Sequence, residues 1–290
     1  MDENTDVRRD LHEQNRLSWN EATKAHNSHK GDQAAFFRNG GNKLYTEEVE
    51  LLGDLRGKRV VHLQCNSGQD TLSLAQLGAN VTGVDISDEA VAFATRLSAD
   101  SGVPAAFIRA DVYDWLAEAA AGEERWDIAF SSYGALPWLS DLRAWAKGIA
   151  GILAPGGRFV LVEFHPLLWV FETDWSLKYD YFPAGPQKWD DGVGDYVAQS
   201  GTNLALTEFE EGVRNFRNPH PSWEFQWPIS EVVSAVLGAG LSLETLREYP
   251  YANGWKGFEE MQQGPNRRVY PPARLPSLPL MYALSARKEG

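Results

Sequence analysis

The stretch richest in chemistry runs from Lys58 to Asp85. It reads Val60-Val61-His62-Leu63, a turn Gln64-Cys65-Asn66-Ser67-Gly68-Gln69-Asp70, an apolar helical run, then Val81-Thr82-Gly83-Val84-Asp85. An apolar strand feeding a small-residue turn, a helix, and a second strand ending in a carboxylate make half of a nucleotide-binding α/β unit. In such a unit the turn approaches the ligand and the carboxylate accepts hydrogen bonds from a ribose diol. Asp85 is that carboxylate; its alternative role is a helix N-cap. A second pair, Glu163 and His165, closes a later apolar run. Alternation along a strand puts both on one side. His165, whose ordinary pKa lies near neutral, is a candidate general base, with Glu163 orienting its imidazole or binding an acceptor. His26 and Trp19, on an N-terminal helical segment, join the candidates if that segment folds over the ligand.

These residues need a frame. From Val60 onward the pattern alternates: strands over 60–64, 80–85, 105–110, 126–131 and 158–164, and helices over 70–77, 88–101, 115–121 and 140–153, the last closed by Pro155-Gly156-Gly157. The repetition demands a parallel sheet with right-handed crossovers and helices on both faces, and it places ligands at the carboxyl ends of the strands. Before it lie a polar helix over 9–24, too polar for a buried core helix, and a second helix over 46–55 with Thr46 as N-cap. The alternation stops at His165-Pro166. Aromatics, Gly and Pro dominate to about Trp227, with β-like pieces near 193–197 and 203–208, so we expect a small antiparallel cap. Regularity returns with a helix over 229–240, a strand over 241–249, a long Gly/Pro loop and a last strand over 280–286. The expected organisation is an N-terminal lid (1–45), a ligand-binding core (46–164), a substrate cap (165–228) and the remainder of the core sheet (229–290).

Bulk properties narrow the function. The 290 residues suffice for a large core without staples. A formal charge of -13 argues against a nucleic-acid partner. No apolar run reaches the ~20 residues of a transmembrane helix. The acidic, polar first residues are unlike a signal peptide, and the single cysteine, Cys65, allows no internal disulfide, so the expected location is cytoplasmic. Metal-ligand spacing is lacking, so no metal is expected. A homo-oligomer stays open. Six of the 11 tryptophans (Trp169, Trp175, Trp189, Trp223, Trp227, Trp255) follow the nucleotide-binding half. They are either core packing or the wall of a pocket for a flat or cationic molecule.

The order of signals from Val60 to Glu163 resembles the core of the class I S-adenosylmethionine-dependent methyltransferases. The matching features are a glycine-containing loop, Asp85 after the second strand, Asp111 after the third, Asp127 at the start of the fourth, and Pro155-Gly156-Gly157 before the fifth. The resemblance implies an α/β fold: a doubly wound, Rossmann-like, seven-stranded, mostly parallel sheet, with a cap after the fifth strand. It implies S-adenosylmethionine as cofactor. Gln64, Cys65, Asn66, Gly68, Asp70, Thr71, Asp85, Ile86, Asp111, Val112, Ser131 and Trp19 would then touch the cofactor. Asp85 would take the ribose, Asp111 and the Val112 N–H the adenine, and Asp70 the methionyl ammonium unless it is an N-cap. The family's Asp-x-Gly-x-Gly-x-Gly appears here as His62, Gln64, Asn66 and Gly68, so only the last glycine remains. Tyr133, on the loop after the fourth strand, would orient the acceptor or relay a proton, or simply pack. That loop is not of the Asn-Pro-Pro-Tyr type, which with the charge points to a small acceptor, aromatic or amine-bearing, methylated at N or C rather than O. A nicotinamide-dependent oxidoreductase and a non-catalytic methyltransferase-like binding protein are the alternatives.

Overall fold

The computed structural model describes residues 7–205 and 207–290. The first six residues of the expected lid, and Leu206, lie outside it. In chain order the helices are α1 (Arg9–Ser28), α2 (Gln33–Arg38), α3 (Thr46–Leu52), α4 (Gln69–Gln76), α5 (Asp88–Ser101), α6 (Val112–Ala121), α7 (Leu142–Ile152), α8 (Tyr196–Ser200) and α9 (Ile229–Gly238). The strands are β1 (Arg59–Leu63), β2 (Asn80–Asp85), β3 (Ala106–Arg109), β4 (Trp126–Ser132), β5 (Leu153–Phe164), β6 (Gln187–Trp189), β7 (Ser222–Glu224), β8 (Leu241–Tyr249), β9 (Ala252–Asn253), β10 (Gln262–Gln263), β11 (Arg268–Tyr270) and β12 (Met281–Lys288).

Seven strands form one sheet in the order β3-β2-β1-β4-β5-β12-β8. β1 through β5 pair in parallel, and β12 runs antiparallel between β5 and β8. This is the expected doubly wound α/β sheet. Strand order reverses between β1 and β4, the point at which an open α/β sheet takes its ligands.

Period-two alternation divides the central strands between two cores. Val61, Leu63, Ala129, Phe159 and Leu161 pack against Trp115, Trp145 and Val232 of α6, α7 and α9. Val60, Ile128, Phe130, Val160 and Val162 pack on the opposite side against Leu51, Leu52 and Leu74 of α3 and α4. The apolar positions are fully buried and at ~25 cal/mol per Å² supply the main driving force. Among the described residues no helix is long and apolar enough to cross a membrane.

The cap departs from expectation. Residues 193–197, 203–205 and 207–208 are not strands. Asp195 caps α8 by accepting the Ala198 N–H (3.0 Å), and a 3₁₀ turn Gly201–Asn203 follows. The Val193 N–H goes to Ser18 Oγ instead of to a strand. The antiparallel pair in the cap is β6 with β7. The Gly/Pro loop after β8 also holds a three-stranded sheet, β10-β11-β9, which alternation in so short a segment did not reveal.

α1 is longer than expected and sits between core and cap. Its buried face is largely polar or small: Leu11, His12, Asn15, Ser18, Ala22, Thr23, Ala25 and His26. Hydrogen bonds seat it: Asn15 pairs twice with the Trp223 backbone, Asn20 Oδ1 accepts from Ser87 Oγ (2.7 Å), and Asn27 Nδ2 donates to Ser67 Oγ (2.8 Å).

Candidate active site

A cavity of about 430 Å³ opens at the carboxyl ends of β1, β2 and β4, roofed by α1 and the cap. The turn after β1 forms its floor. Gln64 (φ 55°), Asn66 (φ 49°) and Gly68 (φ 77°) all hold left-handed backbone conformations. The first two stand where the family pattern has glycine, so the turn keeps its shape at a strain of about 1 kcal/mol or more per residue. Their side chains offset this: Gln64 Nε2 donates to the Ala135 carbonyl (2.7 Å), and Asn66 Oδ1 accepts the Ser67 N–H (2.6 Å). Gly68 has no such freedom, because a Cβ there would lie 2.7 Å from Ala94 Cβ and 2.8 Å from the Phe107 ring. Gly68 itself does not line the cavity.

Asp85 and Ile86 line the cavity beside this turn. Asp85 Oδ2 accepts the Asn66 N–H and Oδ1 the Ser87 N–H, both at 2.8 Å. Each oxygen keeps a lone pair for a hydroxyl donor. Burial pushes the Asp85 carboxyl up to about 6, against the pull of its N–H donors. Asp111 and Val112 also line the cavity. Asp111 caps α6 through the Tyr113 N–H (2.9 Å), and its other oxygen meets His12 Nδ1 at 2.7 Å. Burial works against the Asp111 charge, but the His12 contact and the Tyr113 N–H hold it below the usual carboxylate range.

A charged end adjoins the turn. Lys43 Nζ lies 3.2 Å from Asp70 Oδ1, and Lys30 lines the same region. Burial opposes the Asp70 charge, yet Lys43, His62 and Lys30 together hold it below the ordinary range. Burial, reinforced by Lys43, lowers Lys30 to about 7. One carboxylate between two amines suits an amino-acid zwitterion: Asp70 for an ammonium, the lysines for a carboxylate. His62 is neutral, pushed down to about 4 by burial, and its ring nitrogens meet Thr71 Oγ1 (2.9 Å) and Ser132 Oγ (3.3 Å). Thr71 thus supports His62 and does not itself line the cavity.

The remaining wall is aromatic: Trp19, Trp138, Phe164, Trp169, Tyr196 and Trp255. Trp19 meets Trp138 edge-on at 5.2 Å. Tyr133 joins this wall in a left-handed conformation (φ 32°), with Asn253 Nδ2 donating to its hydroxyl (2.9 Å). What holds it there is Glu163. That buried carboxylate accepts the N–H groups of Gly134, Ala135, Leu136 and Phe164 at 2.5, 2.8, 3.0 and 2.6 Å.

Several candidates therefore lie elsewhere. Strand parity turns Phe164, not Glu163, to the cavity, and the Glu163 oxygens are spent on backbone, so they orient no imidazole. Ser131 likewise points to the other face and is fully buried. His165 is outside the cavity: Nδ1 accepts the Leu167 N–H (3.0 Å) and Nε2 meets Glu248 Oε1 (2.8 Å). Replacing His165 by Ala is expected to leave turnover within about twofold; a loss of tenfold or more at unchanged folding returns it to the chemistry. His26 lies behind the wall, its Nε2 on the Gly194 carbonyl (2.9 Å) and its ring 4.1 Å from that of Tyr196. Gln64, Cys65, Asn66, Asp70, Asp85, Ile86, Asp111, Val112, Tyr133 and Trp19 are brought together around one space. His12, Lys30, Lys43, Asn253 and Glu224 were not singled out by the sequence; all come from segments outside the β-α repeat, where no motif flags them.

A seven-stranded sheet with one antiparallel strand beside its edge, and a cavity at the switch point lined by an acidic residue after β2 and another after β3, defines the class I S-adenosylmethionine-dependent methyltransferase fold. A family model described as a methyltransferase domain matches residues 60–157. An uncharacterized methyltransferase of Synechocystis sp. is 33% identical over 135 residues, 46% of this chain and 59% of that protein. A ubiquinone biosynthesis O-methyltransferase of Bordetella avium is 32% identical over 117 residues, 40% of this chain and 47% of that protein. The chain thus spans about half the length of the curated relatives it matches. A solved S-adenosylmethionine-dependent methyltransferase from Clostridium acetobutylicum shares the fold at a TM-score of 0.53 and 12% identity, over 84% of this chain and 89% of that one. Residues 60–157 thus match a methyltransferase domain, and the chain shares its fold with S-adenosylmethionine-dependent methyltransferases of known structure. The donor set would fit S-adenosylmethionine: Asp85 has lone pairs left for a diol, Asp111 is a capped carboxylate, and Lys30, Lys43 and Asp70 offer charges of both signs to an amino-acid group.

Proposed function

We propose that the chain transfers the methyl group of S-adenosylmethionine to a small aromatic or amine-containing metabolite, at nitrogen or carbon in preference to oxygen. The observation that carries the reading is the continuity of one cavity from the zwitterion cage, past Asp85 and Asp111, to the aromatic wall. The cofactor brings a methyl already activated on a sulfonium. The work left to the chain is alignment and exclusion of water. Asp70, Asp85 and Asp111 fix one partner; Tyr133, Phe164 and Trp255 pack the other. The preference against oxygen rests on the histidines. Those lining the cavity, His12 and His62, have both ring nitrogens engaged, so neither is free to take a hydroxyl proton.

S-adenosylhomocysteine tests the reading first. At a hundredfold excess over its dissociation constant it is expected to stabilise the fold by about 2.7 kcal/mol, raising Tm by roughly 5–10 °C, while NADH does not. No shift with S-adenosylhomocysteine, or an equal one with NADH, overturns the proposal. Methyl-labelled cofactor incubated with small-molecule extract then identifies the acceptor.

A further inference from the structure

Four carboxylates line the cavity: Asp70, Asp85, Asp111 and Glu224. Three have roles already described. Asp70 pairs with Lys43, Asp85 holds two N–H groups, and Asp111 holds His12 and the start of α6. Glu224 differs. It comes from β7 of the cap, and its hydrogen-bond partner among the described residues is the Trp189 indole N–H at 3.0 Å. No described Lys, Arg or His pairs with it, and burial pushes its carboxyl up to about 7, with only the Trp189 bond opposing. Glu224 is half-buried, and a carboxylate drawn from water without a cation is favoured by protonation or by a positive ligand.

Its surroundings say which ligand. The next residue, Phe225, donates its N–H to the Pro137 carbonyl at 2.7 Å, so β7 is stitched to the loop carrying Trp138. Trp138 and Trp19 line the same cavity and meet edge-on. A carboxylate that shares one cavity with two indoles answers an ammonium group on an aromatic body: the carboxylate takes the charge, and the rings take the flat surface and part of the cation.

We propose that Glu224, with Trp138 and Trp19, forms an ammonium-recognising subsite that selects a cationic aromatic amine as the methyl acceptor: the ammonium gives one proton to the Glu224 carboxylate, and the nitrogen lone pair so freed would form the new N–C bond as the C–S bond of the sulfonium breaks, leaving S-adenosylhomocysteine. This rests on the methyl-transfer reading and goes further by naming the charge of the acceptor and the residue that reads it. The subsite also accounts for the cap: among the described residues, Glu224 of β7 is the carboxylate from outside the core that lines the cavity.

The test uses tryptamine and its neutral counterpart indole-3-ethanol, each titrated by calorimetry into protein saturated with S-adenosylhomocysteine. The wild type is expected to bind tryptamine at least tenfold more tightly than the alcohol. Glu224→Gln, which keeps an acceptor for Trp189, is expected to erase that preference while holding S-adenosylhomocysteine affinity within twofold. Equal binding of the two indoles, no binding of tryptamine, or a preference that survives in Glu224→Gln overturns the subsite. So does a tenfold loss of S-adenosylhomocysteine affinity in Glu224→Gln, which would assign the carboxylate to the cofactor. Failure of the wild type to bind S-adenosylhomocysteine overturns the methyl-transfer reading instead, so the two failures are distinct.

Discussion

Glu163→Gln is expected to lower Tm by about 6–12 °C and to cut turnover more than tenfold in protein that is still folded. The Glu163 carboxylate accepts four backbone N–H groups, three of them consecutive on the loop after β4. A glutamine replaces one oxygen with an NH₂ that faces donors, stranding two buried N–H groups at about 1–3 kcal/mol each. About 3 kcal/mol in a chain of this size moves Tm by about 2–4 °C per kcal/mol. The turnover loss has a separate origin. Tyr133 sits at φ 32°, and Gly134 after it at φ 74°, because the clamp fixes the residues that follow. Released, Tyr133 relaxes and its ring leaves the wall. Differential scanning calorimetry checks the first effect and single-turnover kinetics below Tm the second. A Tm within 2 °C of wild type would sink the clamp.

Asp85→Asn is expected to weaken S-adenosylhomocysteine binding about 100-fold. Two charge-assisted hydrogen bonds from a diol are worth roughly 1.5–3 kcal/mol each, and the amide retains one acceptor oxygen. The same carboxyl predicts a pH dependence. Its folded value of about 6 lies above the unfolded ~3.9. Between those values the folded chain binds more protons than the unfolded one, so Asp85 costs the fold stability as pH rises through the window. Ligand affinity runs the other way, because hydroxyl donors need the charged form. Calorimetry at pH 5 is therefore expected to give about tenfold weaker S-adenosylhomocysteine binding than at pH 7.5 in the wild type, with the dependence absent in Asp85→Asn. A pH-independent wild type would refute the assignment.

The alternation of strands and helices from Val60 to Phe164 was legible because each strand of a doubly wound sheet is a short apolar run closed by a turn signal. The turn after β1 was harder. Its glycine pattern is missing, yet Gln64 and Asn66 hold the left-handed conformations that glycine would, supported by bonds to Ala135 and Ser67. Strand parity misled at β5. Alternation correctly groups Glu163 away from Phe164, but it does not say which of the two faces the cavity. That choice follows from β5 packing Leu161 on the α6-α7-α9 side. Lys30, Lys43 and Glu224 were invisible because they reach the cavity from three segments with no periodic pattern, brought together only by tertiary packing.

α1 rests on amides and hydroxyls where most roofing helices rest on leucines. Such a seat can be left without baring much greasy surface to water, since its polar groups exchange one set of partners for another at a modest net cost of about 1 kcal/mol each. Over the cavity this helix is tied down by His12 at Asp111 and by Asn20 at Ser87. On the methyl-transfer reading, lifting this helix is therefore an easier step than parting a leucine-packed one.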